Sequence, residues 1–373
     1  MGCRSSPEPL AMEEALIVKV WNVAVVGAGI GRSHIAAGYN ALPNKFRVLA
    51  LCDIDPRRLR AVSEEFGIPR ATLSFDELLA MPDLDIIDIC TPPALHLEQS
   101  LAALMSGKQV ICEKPLVGSL ADADRLIAAE QAASGRLLPV FQYRFGNGLQ
   151  KARHIIASGI VGKPYLATVE TAWTRRAAYY EAVPWRGKYE TELGGALVSH
   201  AIHTHDLLTY LMGPVASVFA RIDTRVNAIE VEDTAVARLA LQSGALASLS
   251  VTLGSAREIS RLRLCFEHVT FESSLSPYAP GEDPWHILPI SPRAADAIDQ
   301  ALADWRFVRP HYVGLFTAYH TALETCGPLP VTLAEARASL ELITALYHSS
   351  ATGQNVDLPI SKDHPRYWSW RPN

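Results

Sequence analysis

At 373 residues the chain is long enough for two domains, and a composition of 49% hydrophobic and 20% charged residues is that of a globular protein, not a disordered one. The net charge of −5, from 34 basic against 39 acidic side chains, comes without any basic cluster or aromatic–basic interleaving, which excludes nucleic acid as a partner. No apolar run approaches the ~18–20 residues that cross a bilayer, which excludes a membrane helix.

The N-terminal Met1-Gly2-Cys3-Arg4-Ser5-Ser6 fits the myristoylation pattern but has no apolar stretch behind it, and residues 1–16 read as a flexible leader. The first strong element is Val23-Ala24-Val25-Val26, a buried strand broken by Gly27-Ala28-Gly29-Ile30-Gly31 and followed by helix-forming residues. A strand that turns through glycines into a helix turns backbone N–H groups toward a pyrophosphate. The spacing is G-x-G-x-G, with Arg32 at the position of the third glycine in the common fingerprint. A second apolar run, 47–52, ends in Asp53, placed for a ribose 2′-hydroxyl, while Asp55-Pro56 is suited to cap the next helix.

Helix and strand signals then alternate. The pattern predicts a helix over 55–66 closed by Gly67, a strand at 71–75, a helical turn at 76–79 and a strand over 85–90 ending in Thr91-Pro92-Pro93. A helix follows at 95–106, then a strand at 109–112 leading into Glu113-Lys114-Pro115. A helix over 119–134, with Ser119 as N-cap and Gly135 beyond its end, and a strand at 137–141 complete the series. This is an α/β pattern, a Rossmann-type doubly wound parallel sheet over residues 17–145. Asp53, Thr91 and Lys114 all fall at carboxyl ends of strands, where such sheets bind ligands.

Beyond Tyr143-Arg144-Phe145 the pattern changes. Residues 146–373 read as an α+β domain with a large, mainly antiparallel open sheet, its strands at 164–173, 215–224, 231–241, 245–253 and 261–271. Helices are expected at 147–158, 195–211, 312–325 and 332–350, with a loop or lid over 275–300. Too few helices are available to cover both sheet faces, and a second copy, in a homodimer or homotetramer, is the expected cover. The six cysteines are scattered without a C-x-x-C pair, implying reduced thiols, a cytoplasmic protein and no metal.

In order and spacing, the glycine turn with His34, Cys52-Asp53-Ile54-Asp55-Pro56, Thr91-Pro92, Glu113-Lys114-Pro115-Leu116, Tyr143-Arg144-Phe145, and Gly194-Gly195-Ala196-Leu197 running into His203 and Asp206 resemble the glucose–fructose oxidoreductase / inositol dehydrogenase / MocA family. The resemblance covers nearly the whole chain. It implies hydride transfer between a nicotinamide cofactor and a carbinol of a sugar, inositol or related polyol.

Such chemistry needs a base for the hydroxyl proton and a group to hold alkoxide charge. The resemblance gives the second task to Lys114 and the first to His203, whose ordinary pKa of ~6.5 suits it. Many relatives carry an aspartate four residues before this histidine; here Ser199 stands there, able to hydrogen-bond substrate or Lys114 but not to supply a carboxylate. Gly194-Gly195 would let substrate or cofactor approach the backbone.

The cofactor side comprises Gly27, Gly29, Ile30, Gly31, Asp53, Arg58, Thr91, Pro92, His96, Glu113 and Lys114. The substrate side comprises Lys114, Tyr143, Arg144, Trp173, Arg175, Trp185, Arg186, His200 and His203. The aromatics offer stacking faces and the arginines bonds to hydroxyls or a carboxylate, with a domain-interface cluster as the alternative. Arg309, His311 and Tyr312 are candidates to reach the same pocket from the C-terminal side, and His34 and Asp206 read as structural. Asp53 would repel a 2′-phosphate, favouring NAD over NADP, although Arg57 and Arg58 stand close enough in sequence to receive one. Two other functions fit the same residues: a glycosidase that retains NAD, and a non-catalytic dinucleotide sensor. A sensor would have no use for a paired cation and base.

Overall fold

The computed structural model describes residues 19–371; the leader expected over 1–16, with its lipidation pattern, lies outside them. The first sheet contains β1 (Trp21–Val26), β2 (Phe46–Cys52), β3 (Arg70–Thr72), β4 (Ile86–Ile89), β5 (Gln109–Cys112) and β6 (Leu137–Pro139), all parallel, in the order β3-β2-β1-β4-β5-β6. The chain starts in the middle, winds outward through β2 and β3, then returns to β4. That reversal opens a crevice at the carboxyl ends of β1 and β4. Helices α1 (Gly31–Ala37), α2 (Pro56–Phe66), α3 (Phe75–Leu79), α4 (His96–Met105) and α5 (Leu120–Ala132) form the connections.

Local chemistry sets these boundaries. The Asp55 carboxylate accepts the N–H groups of Arg57 and Arg58 to start α2, and Gly67 ends it in the left-handed region. Ser119 caps α5 as expected, but this helix ends at Ala132 and the chain leaves in extended conformation. Gly135 is therefore not a helix terminator. A Cβ there would lie 1.9 Å from the Lys108 carbonyl oxygen, and glycine serves a backbone crossing.

The second sheet has eight strands: β7 (Pro164–Thr174), β8 (Val215–Asp223), β9 (Thr234–Leu241), β10 (Leu246–Thr252), β11 (Gly254–Phe266), β12 (Val269–Glu272), β13 (His286–Pro289) and β14 (Val356–Asp357). Their order is β13-β12-β11-β7-β10-β9-β8-β14, antiparallel except for the β7–β10 pair. Helices α6 (Asn147–Ala157), α7 (Ala177–Glu181), α8 (Ala196–Ser199), α9 (Ile202–Met212), α10 (Pro292–Ala301), α11 (His311–Glu324) and α12 (Leu333–Thr352) complete it.

Three expectations change here. The stretch 261–271 is a hairpin of two strands, the single helix expected over 195–211 is broken at His200–Ala201, and 275–300 holds β13 and the Ser291-capped α10 in place of an open loop.

The last two long helices return to the first sheet. Phe316 of α11 stacks on Tyr39, with ring centroids 4.6 Å apart, and Arg136 donates to the carbonyls of Ala322 and Gly327 at 3.0 and 2.6 Å. These contacts fix α11 and the turn after it against the first sheet. On the far face of the second sheet Val236 and Leu246 are 55% and 59% exposed. Among the described residues no helix is long and apolar enough to cross a membrane.

Candidate active site

The three glycines of the first turn do different work. Gly27 has φ +95°, and a Cβ there would lie 2.6 Å from the Cys90 carbonyl oxygen; at Gly31 it would lie 2.6 Å from Val25 Cγ1. Both serve internal packing. A Cβ at Gly29 would meet nothing within 4 Å, leaving open space above the turn for a ligand. Ile30 beside it is 42% exposed, and Arg32, at the third-glycine position, pairs with Glu65 at the surface.

Asp53, 6% exposed, accepts the N–H of Ala28 through Oδ2 and that of Asp55 through Oδ1, each at 2.8 Å, with Arg58 Nη1 3.4 Å from Oδ2. These bonds fix its carboxylate beside the turn and leave it acceptor capacity for ribose hydroxyls. The open turn and this oriented carboxylate fit a dinucleotide without a 2′-phosphate.

Thr91 and Pro92 are half-buried at the end of β4, where the Thr91 hydroxyl donates to Gln99 at 2.6 Å. His96 corrects its assigned role. It is fully buried, with Nδ1 and Nε2 each 2.8 Å from a carbonyl oxygen, of Pro115 and Thr91 respectively. It braces two strand-end loops and has no ring nitrogen left for a cofactor.

β5 delivers Glu113 and Lys114, with the Lys114–Pro115 peptide cis. Glu113 Oε2 accepts the Lys114 backbone N–H at 3.0 Å, and Oε1 lies 3.0 Å from His34 Nε2. His34 Nδ1 is 2.8 Å from Asp88 Oδ2, and Tyr39 donates to that same oxygen at 2.8 Å. Burial alone would lower the His34 pKa, but Asp88 holds it well above 6.5. His34 is thus a buried imidazolium between two carboxylates, and Glu113 is bound to it instead of being open to a cofactor. His34, Asp88 and Cys90 bring ligand-type atoms within 4.8 Å of one another, but both His34 nitrogens are already taken.

Lys114 is half-buried, and Nζ donates to the Ser199 carbonyl at 2.8 Å. Burial lowers its pKa from 10.5 and Arg186 adds to that, while Glu113 and Glu192 oppose it. Ser199 is the last residue of α8, where carbonyls lack helical partners. The contact with Lys114 therefore runs through the backbone. The Ser199 hydroxyl donates instead to Glu192 Oε1 at 2.8 Å, so a carboxylate reaches this spot from another part of the chain.

The glycine pair has a different purpose from the one expected. A Cβ at Gly195 would lie 1.8 Å from the Glu232 carbonyl oxygen, so the residue that approaches it is Glu232 and not a substrate. The Glu232 carboxylate accepts the N–H groups of Gly195 and Leu197 at 2.9 and 2.8 Å and the Tyr347 hydroxyl at 2.5 Å, anchoring α8.

His203, in the first turn of α9, is 3% exposed and stacks on Tyr143 with centroids 4.1 Å apart. Its Nδ1 has no partner. Burial, then the charges of Lys114, His311 and His200, push its pKa well below 6.5, which keeps the resting ring neutral.

Around these two residues lies a second group. Trp173 is edge-on to His200 at 5.3 Å, and the Arg175 guanidinium lies over Trp173 at 5.1 Å. Arg186 lies over Trp185 and Tyr179 at 4.3 and 4.4 Å. His311 reaches this group through Tyr278, its Nε2 2.6 Å from that residue's carbonyl oxygen, whereas Tyr312 packs on His34 at 4.5 Å and Arg309 is exposed.

Arg144 does not join them. It is 2% exposed, in a two-bond pair with Asp206 at 2.6 and 2.7 Å and bonded to Glu335 at 2.6 Å. Its role is a buried ion pair, and the substrate contact expected of it is withdrawn. Glu192, Glu232, Glu258 and Tyr278 were missed from sequence. None belongs to a periodic or glycine-marked motif, and only folding brings them to the site.

Fold and site together define a two-domain dinucleotide-binding chain, with Lys114 of one domain bonded to the Ser199 carbonyl of the other, four residues before His203. Residues 21–141 match the model of the oxidoreductase family with an NAD-binding Rossmann fold, and residues 149–272 match the GFO/IDH/MocA C-terminal domain. The chain belongs to the GFO/IDH/MocA oxidoreductase family.

The WlbA dehydrogenase of Bordetella pertussis, solved with NADH and UDP-GlcNAcA, is 30% identical, with a TM-score of 0.81 over 92% of this chain and 99% of that one. Myo-inositol 2-dehydrogenase of Thermotoga maritima is 30% identical over 60% of this chain, which spans 66% of that relative's length. The 1,5-anhydro-D-fructose reductase of Ensifer adhaerens is 27% identical over 83% of this chain and 91% of the relative.

Proposed function

We propose that the chain is an NAD-dependent oxidoreductase that moves a hydride between the nicotinamide and a carbinol carbon of a sugar, inositol or related polyol. NAD, when bound, supplies the hydride acceptor. The residues suited to hold it are the Gly27–Gly31 turn, Asp53, Thr91 and Pro92. Lys114 holds the substrate oxygen and stabilises alkoxide charge, and His203 accepts the hydroxyl proton on its imidazole.

One observation carries the reading. The Lys114 ammonium, at the end of β5, is anchored on the Ser199 carbonyl at 2.8 Å, and its charge is felt by the buried, neutral His203. The substrate class draws support from relatives named for myo-inositol and 1,5-anhydro-D-fructose, and from WlbA with its sugar nucleotide. Preference for NAD over NADP rests on the Asp53 carboxylate at the end of β2. A second copy on the exposed face around Val236 and Leu246, and a cytoplasmic location, belong to the same proposal.

The test is NADH formation with a panel of monosaccharides, inositols and anhydro-sugars. Lys114→Ala is expected to lower kcat by roughly 10²–10³-fold, the cost of removing one charge-stabilising donor, with NADH binding retained. Unchanged turnover in that variant would refute the assignment, and glycoside cleavage with no net NADH would move the chain to the NAD-retaining glycosidase class.

A further inference from the structure

Hydride transfer requires only a carbinol near Lys114; the remainder of the substrate must be recognised by the residues around it. Beside Lys114 stand two more cations. The guanidinium carbons of Arg175 and Arg186 lie 5.0 and 4.4 Å from the centroid of the same Tyr179 ring, whose hydroxyl is 3.3 Å from His200 Nε2. His200 is 5% exposed. Three nitrogens of this group are buried without a partner: Arg175 Nε, Arg186 Nε and His200 Nδ1.

The local carboxylates leave donors of these cations unanswered. Arg175 is matched by Glu258, at 2.5 Å, and Arg186 by Glu192, at a long 3.2 Å. Glu192 also serves the Ser199 hydroxyl and the Gly187 N–H. Lys114 rests on a carbonyl, and the neighbouring Glu113 is committed to His34. With His34 and Asp88 included the charges balance, yet the Nε of each guanidinium is left without an acceptor. Burial, and then Arg175, Lys114 and Arg186 in turn, push the His200 pKa well below 6.5, so all three cations bear on one point.

Unpartnered buried donors cost about 1–3 kcal/mol each, and clustered cations repel unless something answers them. A neutral sugar hydroxyl supplies acceptors but no charge. A carboxylate or phosphate supplies both, in the planar geometry a guanidinium matches.

We propose that Arg175, Arg186 and His200 form a subsite for an anionic substituent of the substrate, a carboxylate or phosphate borne on the sugar whose carbinol meets Lys114. This rests on the dehydrogenase reading above for the position of the carbinol. The rings of Trp173 and Tyr278, with centroids 4.9 Å apart, flank the Arg175 guanidinium.

The experiment is calorimetric titration of the NADH-loaded protein with D-glucuronate, D-galacturonate and glucose 6-phosphate, each against its neutral parent. At least one anionic probe is expected to bind tenfold or more tighter than its parent, with a preference that weakens with salt. Arg175→Gln and Arg186→Gln are expected to remove most of that preference while NADH affinity stays at the unsubstituted value, which also shows that the variants fold. A carboxylate winning over phosphate, or the reverse, identifies which anion the subsite takes.

Neutral parents binding as tightly as the anions, no binding by any anion, or a preference that survives both substitutions would overturn the proposal. Turnover separates it from the reading beneath it. A neutral sugar oxidised without any anion preference keeps the dehydrogenase and ends the subsite; a preferred anion that yields no NADH from NAD does the opposite.

Discussion

Replacing Glu232 by glutamine tests how the catalytic segment is held. Burial raises the Glu232 pKa from 4.5 to about 7, against the opposing bonds from Tyr347, Leu197 and Gly195. The folded chain therefore binds a proton there that the unfolded chain has released. Stability from this group is fullest below 4.5 and is lost as pH rises through about 7. At ~1.4 kcal/mol per pH unit of displacement, the loss comes to about 3 kcal/mol.

Glutamine cannot ionise, so Glu232→Gln removes this pH dependence. Its amide oxygen can keep the Gly195 and Tyr347 bonds, but its NH₂ then faces the Leu197 N–H, costing about 1–3 kcal/mol at every pH. Urea unfolding of both proteins at intervals from about pH 5 to about pH 8 checks this. The variant is expected to be weaker at the acid end and to gain on the parent by about 3 kcal/mol toward the alkaline end. Parallel curves would refute the account of Glu232, since the difference between the proteins isolates this one group.

Three further outcomes are expected. Gly29→Ala, whose added Cβ meets no protein atom, leaves the melting temperature unchanged but weakens NADH binding tenfold or more by fluorescence titration, whereas Gly27→Ala lowers the melting temperature because its Cβ strikes the Cys90 carbonyl. Arg144→Ala strands the Asp206 carboxylate in the core and lowers stability in urea by about 3–5 kcal/mol, with KM unchanged in the protein that remains folded. The alkaline limb of kcat/KM falls below 10.5 because burial lowers the Lys114 pKa, and Glu192→Gln moves that limb lower still by removing a charge that holds the proton on; a limb unmoved by the substitution would mean that Glu192 does not act on Lys114.

Through resemblance to the family the amino-acid order pointed to Lys114 and His203; by itself it determined the parallel sheet, the glycine turn and Asp53 at the end of β2. These are local or periodic features: apolar runs between helix caps, and a short motif directly after a strand. It also marked Arg175 and Arg186, which crowd the stretch before α8, and His200, three residues before His203. Other assignments needed coordinates. Arg144 and His96 resemble site residues in sequence, yet one neutralises Asp206 and the other joins two backbone carbonyls.

Glu192 and Glu232 carried no signal at all, although one reaches the Ser199 hydroxyl and the other anchors α8. The physical reason is common to all four. Whether a polar side chain faces ligand or core depends on which distant donors and acceptors meet it once water is excluded, and that pairing exists only after the two sheets and the returning C-terminal helices close around it.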